Sequence, residues 1–290
     1  MVKYRKPNKR NPIEQALEEF STRPVATPGA TDDGTVRFIK FLESEHGFTN
    51  VQPVAGIAYN QFFVATKGRG RNSKLFIKRG SHHGLYENEY LMGRHIYEID
   101  NVHFLEPLCY NDYSEFNFFA NAYVQGTTLK TAMMQGTLDA ATRARIIEDL
   151  YQIFLALQKS DIVHRDIRPD NLMLIDGRMV LIDFQLAVYK RAYKELEYLA
   201  RRPARLRSLG EDVFRYRKYT WDDAHSLLRV LEHIGREESY GARYDQIHNE
   251  IKSHIGIDTI HSAVRENPMG RLARHMVPKS IRKKYLGRRG

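Results

Sequence analysis

The chain has 290 residues, of which 42% are hydrophobic, 28% charged and 11% aromatic. That balance excludes disorder throughout and leaves room for a full-sized core in one large domain or in two lobes with tails. The single cysteine, Cys109, excludes an intrachain disulfide scaffold and fits a reducing cytoplasm.

No apolar run approaches the roughly 18 residues of a membrane span, and MVKYRKPNKR leads into no apolar signal core, so neither secretion by a visible signal nor membrane insertion is expected. The net charge of +10 is unevenly spread. Residues 1–10 carry five Lys or Arg and residues 271–290 carry eight, with no acid in either segment. The interval between them sums to −3, yet residues 190–218 set ten Lys or Arg against Glu195, Glu197, Glu211 and Asp212.

Residues 1–34 hold four prolines, basic residues and the string TPGATDDG, and read as a flexible basic arm. Phe38, Ile39, Phe41 and Leu42 recur at helical spacing, with Gly47 as the stop. VQPVAGIAYNQFFVATKGRGRNSKLFIKRG then reads as an antiparallel meander, turning at Gly56–Asn60 and at KGRGRN. Residues 86–97 return to helical spacing, and FNFFANAYV at 116–124 is again strand-like, closed by Gly126.

Ile146, Ile147, Leu150, Ile153, Phe154 and Leu157 form one helical stripe. The runs at 172–174 and 179–182 bracket Asp176-Gly177 as a hairpin. Leu227, Leu228, Leu231 and Ile234 mark a further helix after WDDAHS. Strands with one helix, then helices with one hairpin, predict an α+β architecture, a small β-rich lobe on a larger α-rich lobe. The expected division is 1–34 arm, 35–121 small lobe, 122–268 large lobe and 269–290 basic tail.

The most informative string is IVHRDIRPDNL at 162–172, followed by LIDF at 181–184. Phosphoryl transfer needs a carboxylate to accept the hydroxyl proton and oxygen ligands to hold magnesium on the phosphates. Asp166, Asn171 and Asp183 are residues of those types, Asp183 lying twelve positions after Asn171. Their order resembles the H-R-D-x-x-x-x-N and D-F-G signatures of the protein kinase superfamily, over roughly residues 50 to 235.

The resemblance implies a bilobal kinase-like fold binding ATP and Mg²⁺. It makes Asp166 the catalytic base, sets Arg168 where many kinases have a lysine facing the transferred phosphate, and makes Asn171 and Asp183 the metal ligands. Lys78 stands where the family's strand lysine touches the nucleotide phosphates, with Glu89 first and Glu87 second as its carboxylate partner. Gly56 is what remains of the glycine-rich loop, with Asn60 as an added polar contact, and residues 122–129 resemble the hinge lining the adenine pocket. Asp223 lies where the family has an aspartate that bonds the catalytic-loop backbone, although Thr220-x-x-Asp223 also reads as a capping box.

Gln185 replaces the glycine of D-F-G and should restrict a backbone swing there. No A-P-E follows, and only some 55 residues succeed the Asp223 helix, so a shortened large lobe is expected. Clustered Arg at 190–218 suits an anionic acceptor, such as a lipopolysaccharide core sugar. The tail, with Leu272, Met276, Ile281, Tyr285 and Leu286 among its cations, suits peripheral contact with an anionic inner membrane face. Nucleic acid is disfavoured, because no aromatic-rich reading surface accompanies the charge. A compact serine/threonine kinase and a partner-binding pseudokinase stand as alternatives.

Overall fold

The computed structural model describes residues 33–54, 61–68, 74–80, 84–112, 115–195, 206 and 209–262. The arm up to residue 32, the basic tail, Gly56 with its turn, and positions 196–205 and 207–208 of the basic block lie outside the described residues.

Helix α1 (Asp33–His46) opens the described chain, so helix begins just inside the stretch read as arm. It ends at Gly47, whose φ of 64° requires the left-handed backbone that glycine adopts without strain. Strands β1 (Thr49–Pro53), β2 (Phe62–Thr66) and β3 (Lys74–Gly80) form the expected antiparallel meander. The sheet is completed by β5 (Asn117–Ala122) against β3 and by β4 (Pro107–Asn111) at the edge, in the order β1-β2-β3-β5-β4.

Strand β4 was not foreseen, since PLCYN alternates too briefly to register as a strand. Alternate residues of these strands, Phe63, Ala65, Leu75, Ile77, Phe118 and Ala120, face α1 and close a core with Phe38, Leu42 and Phe48. The Phe38 ring lies 4.9 Å from that of Phe63 and 6.3 Å from that of Phe118.

Helix α2 (Leu85–Ile99) follows the sheet's central strand, yet its inner residues Met92 and Ile96 belong to the larger helical core. It therefore joins the two halves. That larger core is built on α4 (Ala140–Ser160), whose predicted stripe is buried throughout and whose N-terminus is capped by Asp139 accepting the Thr142 amide at 2.7 Å. The predicted hairpin is β8 (Leu172–Ile175) with β9 (Arg178–Leu181), its turn made by Asp176 and Gly177 at φ 49° and 76°.

Asp149 of α4 pins this hairpin by accepting the Met179 amide at 2.8 Å and an Arg178 guanidinium N–H at 3.0 Å. The last predicted helix is α6 (Asp223–Ile234). Further elements without a sequence expectation include the short helices α3 (Leu129–Gln135) and α5 (Glu211–Phe214), helix α7 (Gly241–Ser253), and the two-residue pair of Thr220–Trp221 with Ile260–His261. Among the described residues no helix is long and apolar enough to cross a membrane.

Because α1 reaches the sheet through aromatic rings, Phe38→Ala should lower unfolding free energy by about 3–5 kcal/mol, the range for emptying a buried phenylalanine site. Urea denaturation checks this, and a loss under about 1 kcal/mol would mean that α1 is not part of the cooperative core.

Candidate functional site

The central strand delivers Lys78 to the floor of a cleft between sheet and helical core. Its ammonium donates to Glu89 Oε1 at 2.5 Å and to Asp183 Oδ1 at 3.1 Å. Burial opposes the charge on Lys78, but the two carboxylates outweigh it and hold the amine above the ordinary lysine range. Glu89 is buried with its Oε2 unpartnered, and that burial pushes its carboxyl up to about 7. Burial would likewise raise Asp183, yet the facing Lys78 holds that carboxyl below the usual carboxylate range.

Glu87, the second candidate partner, is turned elsewhere. It accepts the Tyr110 hydroxyl at 3.2 Å.

The segment 164–171 is fixed mainly from below. Asp223 accepts the amides of His164 at 2.6 Å and Arg165 at 3.2 Å, while its neighbour Asp222 caps α6 by accepting the His225 amide at 3.0 Å. The capping-box alternative for Asp223 is thereby replaced. The cap is Asp222, two residues after the Thr220 of that expected box.

His164 is fully enclosed. Burial lowers its pKa to about 4, so the ring is neutral, with Nε2–H donating to the Ile182 carbonyl at 3.0 Å and Nδ1 accepting the Asp166 amide at 3.3 Å. Arg165 has φ 69°, a conformation that L-residues adopt only when surroundings impose it. Its guanidinium donates to the Leu186 carbonyl at 2.6 Å and to Glu195 at 3.1 Å, and lies 5.3 Å from the Trp221 ring centre.

Asp166 stands at the polar end of the cleft. Its Oδ2 accepts Asn171 Nδ2–H at 2.9 Å, and Oδ1 accepts the Gly210 amide at 2.9 Å. Asn171 donates from the same nitrogen to the Asp166 carbonyl at 2.9 Å, which commits its NH₂ and leaves its amide oxygen as the remaining acceptor. Arg168 pairs with Glu211 and lies 3.6 Å from Asp170, which also receives the Lys130 ammonium at 2.7 Å.

Asp183 also has a left-handed backbone, φ 72°. The chain beyond it is clamped by Asn88 of α2, whose side-chain amide donates to the carbonyls of Gln185 at 3.1 Å and Ala187 at 2.9 Å. Gln185 itself sits in a short 3₁₀ turn at negative φ, so glycine is not required there. The restriction expected from losing that glycine is accompanied by this tether. The Phe184 ring packs edge-on against Phe104 and His164.

The cleft measures about 220 Å³. Phe62, Phe76, Leu105, Tyr123, Met173 and Ile182 line one part, and Lys78, Glu89, Asp166, Arg168, Asn171 and Asp183 line the other. Ala122, Val124 and Thr128 of the expected hinge also line it. An apolar slot beside a fixed cation suits a flat heterocycle carrying a polyphosphate.

Among the described residues there is no cluster of three His, Cys, Asp or Glu side chains able to hold a metal. Asp183 with the Asn171 amide oxygen makes a two-residue hard-oxygen set, the kind that fits magnesium when phosphate oxygens and water complete the shell. Asn88, Lys130, Gly210 and Glu211 were not foreseen as site residues. Each acts through a contact distant in sequence, and none belongs to a spacing pattern that could have announced it.

The model of the phosphotransferase enzyme family (APH) matches residues 111–227, a stretch that contains Asp166, Asn171, Asp183 and Asp223 but covers less than half the chain. A "probable serine/threonine-protein kinase" of Bifidobacterium longum is 29% identical over 91 residues, 31% of this chain and 12% of that protein. Another "probable serine/threonine-protein kinase", from Dictyostelium discoideum, is 35% identical over 72 residues, 24% of this chain and 8% of that protein. The chain thus spans only about a tenth of the length of the curated relatives it matches. Together these partial matches support a protein kinase-like superfamily.

Asp166 provides a signed test of the electrostatics. Burial pushes its carboxyl from 3.8 up to about 7. Between those values the unfolded chain gives up a proton that the folded chain keeps, so Asp166 lowers stability as pH rises through that window. Asp166→Asn removes this loss, and its melting temperature relative to wild type should climb between about pH 4 and pH 7. Parallel melting curves across that range would show that Asp166 is already ionised in the fold.

Proposed function

We propose that this chain is an ATP-dependent phosphotransferase that moves the γ-phosphate of Mg-ATP to an acceptor hydroxyl. The observation that carries the reading is the convergence of Lys78, Asp166, Asn171 and Asp183 on one end of one cleft. Lys78, held as a cation by two carboxylates, would bind the nucleotide phosphates and keep them from drifting. Asp183 and the Asn171 amide oxygen would hold magnesium, which supplies charge neutralisation at the phosphates when bound.

Asp166 would accept the acceptor's hydroxyl proton as the oxygen bonds to phosphorus and the bond to the departing ADP breaks. Its raised pKa places it where a base can both take and return a proton near neutrality. The division into a small lobe over 35–121 and a large lobe over 122–268, with the cleft between them, belongs to the same proposal.

For the acceptor we favour an anionic envelope glycan, such as a lipopolysaccharide core sugar. Support comes from the basic block and from a shallow basin lined by Arg215, Tyr216, Arg217 and Lys218 beside Asp212. Within the block Lys190 pairs with Asp258 at 2.8 Å and Arg215 with Asp212, and this reading relies on the exposed side chains of Arg217 and Lys218. The basic tail would add peripheral contact with an anionic membrane face.

A compact serine/threonine kinase is the second reading, favoured by the local similarity to two such kinases. The complete set of Lys78, Asp166, Asn171 and Asp183 argues against a pseudokinase.

Transfer of labelled γ-phosphate from Mg-ATP to separated glycolipid and protein fractions tests the reading. Asp183→Asn should lose at least about a hundredfold in rate, as expected for removing part of a preorganised charge clamp. Undiminished turnover would remove Asp183 from the metal set. Asp166→Asn should lose turnover while keeping nucleotide affinity within about threefold, since the base touches the acceptor rather than ATP. An equal loss of nucleotide binding, read by calorimetry, would contradict that role.

A further inference from the structure

The acceptor side of Asp166 is filled by the chain itself. Gly210 and Glu211 form a turn in which both residues have left-handed backbone, φ 82° and 48°. The turn is seated closely. A β-carbon at Gly210 would stand 3.0 Å from the Arg165 carbonyl oxygen and 3.4 Å from the Trp221 ring.

From this seat the Gly210 amide donates to Asp166 Oδ1 at 2.9 Å, and the Glu211 carboxylate pairs with the Arg168 guanidinium. Behind the turn, the Trp221 indole N–H donates to the Leu209 carbonyl at 3.0 Å, and Arg215 donates to the same oxygen at 3.3 Å. Arg168 Nε is buried without a partner, so this guanidinium depends on its carboxylates for compensation.

On the phosphotransfer reading, on which this inference rests, Asp166 receives a hydroxyl proton, and Arg168, placed by the resemblance toward the transferred phosphate, is here drawn to Glu211 and departs from that role. The turn offers the first a donor and the second an anion, from adjacent residues. We infer that the Gly210–Glu211 turn is an internal stand-in for the acceptor, and that the acceptor which displaces it presents a hydroxyl flanked by a carboxylate or phosphate.

The exchange is balanced for such a molecule. Its hydroxyl replaces the Gly210 N–H on Asp166, and its anion replaces Glu211 on Arg168, so no half-buried charge is stripped. A neutral polyol replaces only one of the two contacts and meets the Glu211 carboxylate in its path. The turn therefore selects against it. The Gly210 contact occupies one oxygen of Asp166 until an acceptor arrives, which makes idle hydrolysis of ATP slow.

Trp221 is the sole tryptophan, is 1% exposed and is bonded to the turn, so its emission reports displacement without any need for turnover. The full chain and its Glu211→Gln variant are compared by acrylamide quenching and by Mg-ATP hydrolysis above an Asp183→Asn blank. Glu211→Gln should raise both quenching and hydrolysis by about threefold, the scale of one half-exposed ion pair, and Glu211→Asp should restore most of the wild-type value. In the wild type, glycerate and glycerol 3-phosphate should raise quenching, while glycerol, which lacks the anion, and acetate, which lacks the hydroxyl, should not.

Equal quenching of wild type and Glu211→Gln, both folded by circular dichroism, would overturn the inference. So would glycerol acting as well as glycerate. If the quenching results are as expected but no form hydrolyses ATP above the blank, the displaceable turn stands and the phosphotransfer reading falls.

Discussion

The arrangement depends on one buried cation. Lys78 comes from the sheet, Glu89 from the helix that bridges to the larger core, and Asp183 from the segment after the hairpin. An ammonium in water gains little from a carboxylate, but here burial removes the competing solvent and makes each ion depend on the others. Glu89, with 4% of its side chain exposed, is the enclosed member, and removing Lys78 would leave its carboxylate uncompensated. The three elements are thus held together by ion pairs that also place the Lys78 ammonium on the lining of the cleft.

A second constraint shapes the chain from His164 to Ala187. Arg165 and Asp183 both hold left-handed conformations that the chain would not choose locally. Each is over-determined by its neighbours. Arg165 is fixed by Asp223 at its amide and by Leu186, Glu195 and Trp221 at its side chain. Asp183 lies between the Lys78 tie and the Asn88 clamp on the following carbonyls. Since Arg165 reaches the Leu186 carbonyl, the strained points share one hydrogen-bonded unit, and His164 on Ile182 closes it from inside. That coupling explains how two costly backbone conformations coexist within one small site.

The parts of this site that could be read from the sequence are those whose chemistry demands a residue type at a fixed spacing. Asp166, Asn171 and Asp183 were legible because their residue types and spacing resemble two linked motifs, and all three line one cleft. Lys78 with Glu89 was legible only through a resemblance, and the structure decides between Glu89 and Glu87 by geometry.

Asn88 left no signal, because an amide that binds carbonyls a hundred positions away looks like any exposed helix residue. Asp222 as the cap was not foreseen, and the two readings of Asp223, loop-bonding or capping box, were separated only by its contacts with the distant His164 and Arg165 amides. Strand β4 escaped for a related reason. Its pairing with β5 makes it a strand, while five residues alone carry too little periodicity.

Charge shows most clearly where counting residues stops short. A chain of +10 with a basic block after its D-F-like motif suggests a cleft open to anions. At the acceptor side, however, Arg168 is bound by Glu211 and approached by Asp170, Lys130 is spent on Asp170, and Arg215 is tied to Asp212. Positive charge is present there, but as one half of existing pairs. On this arrangement an anion that reaches Arg168 has to replace a specific carboxylate there. Selection then rests on whether a molecule can satisfy Arg168 and Asp166 together, and the +10 total has little bearing on that choice.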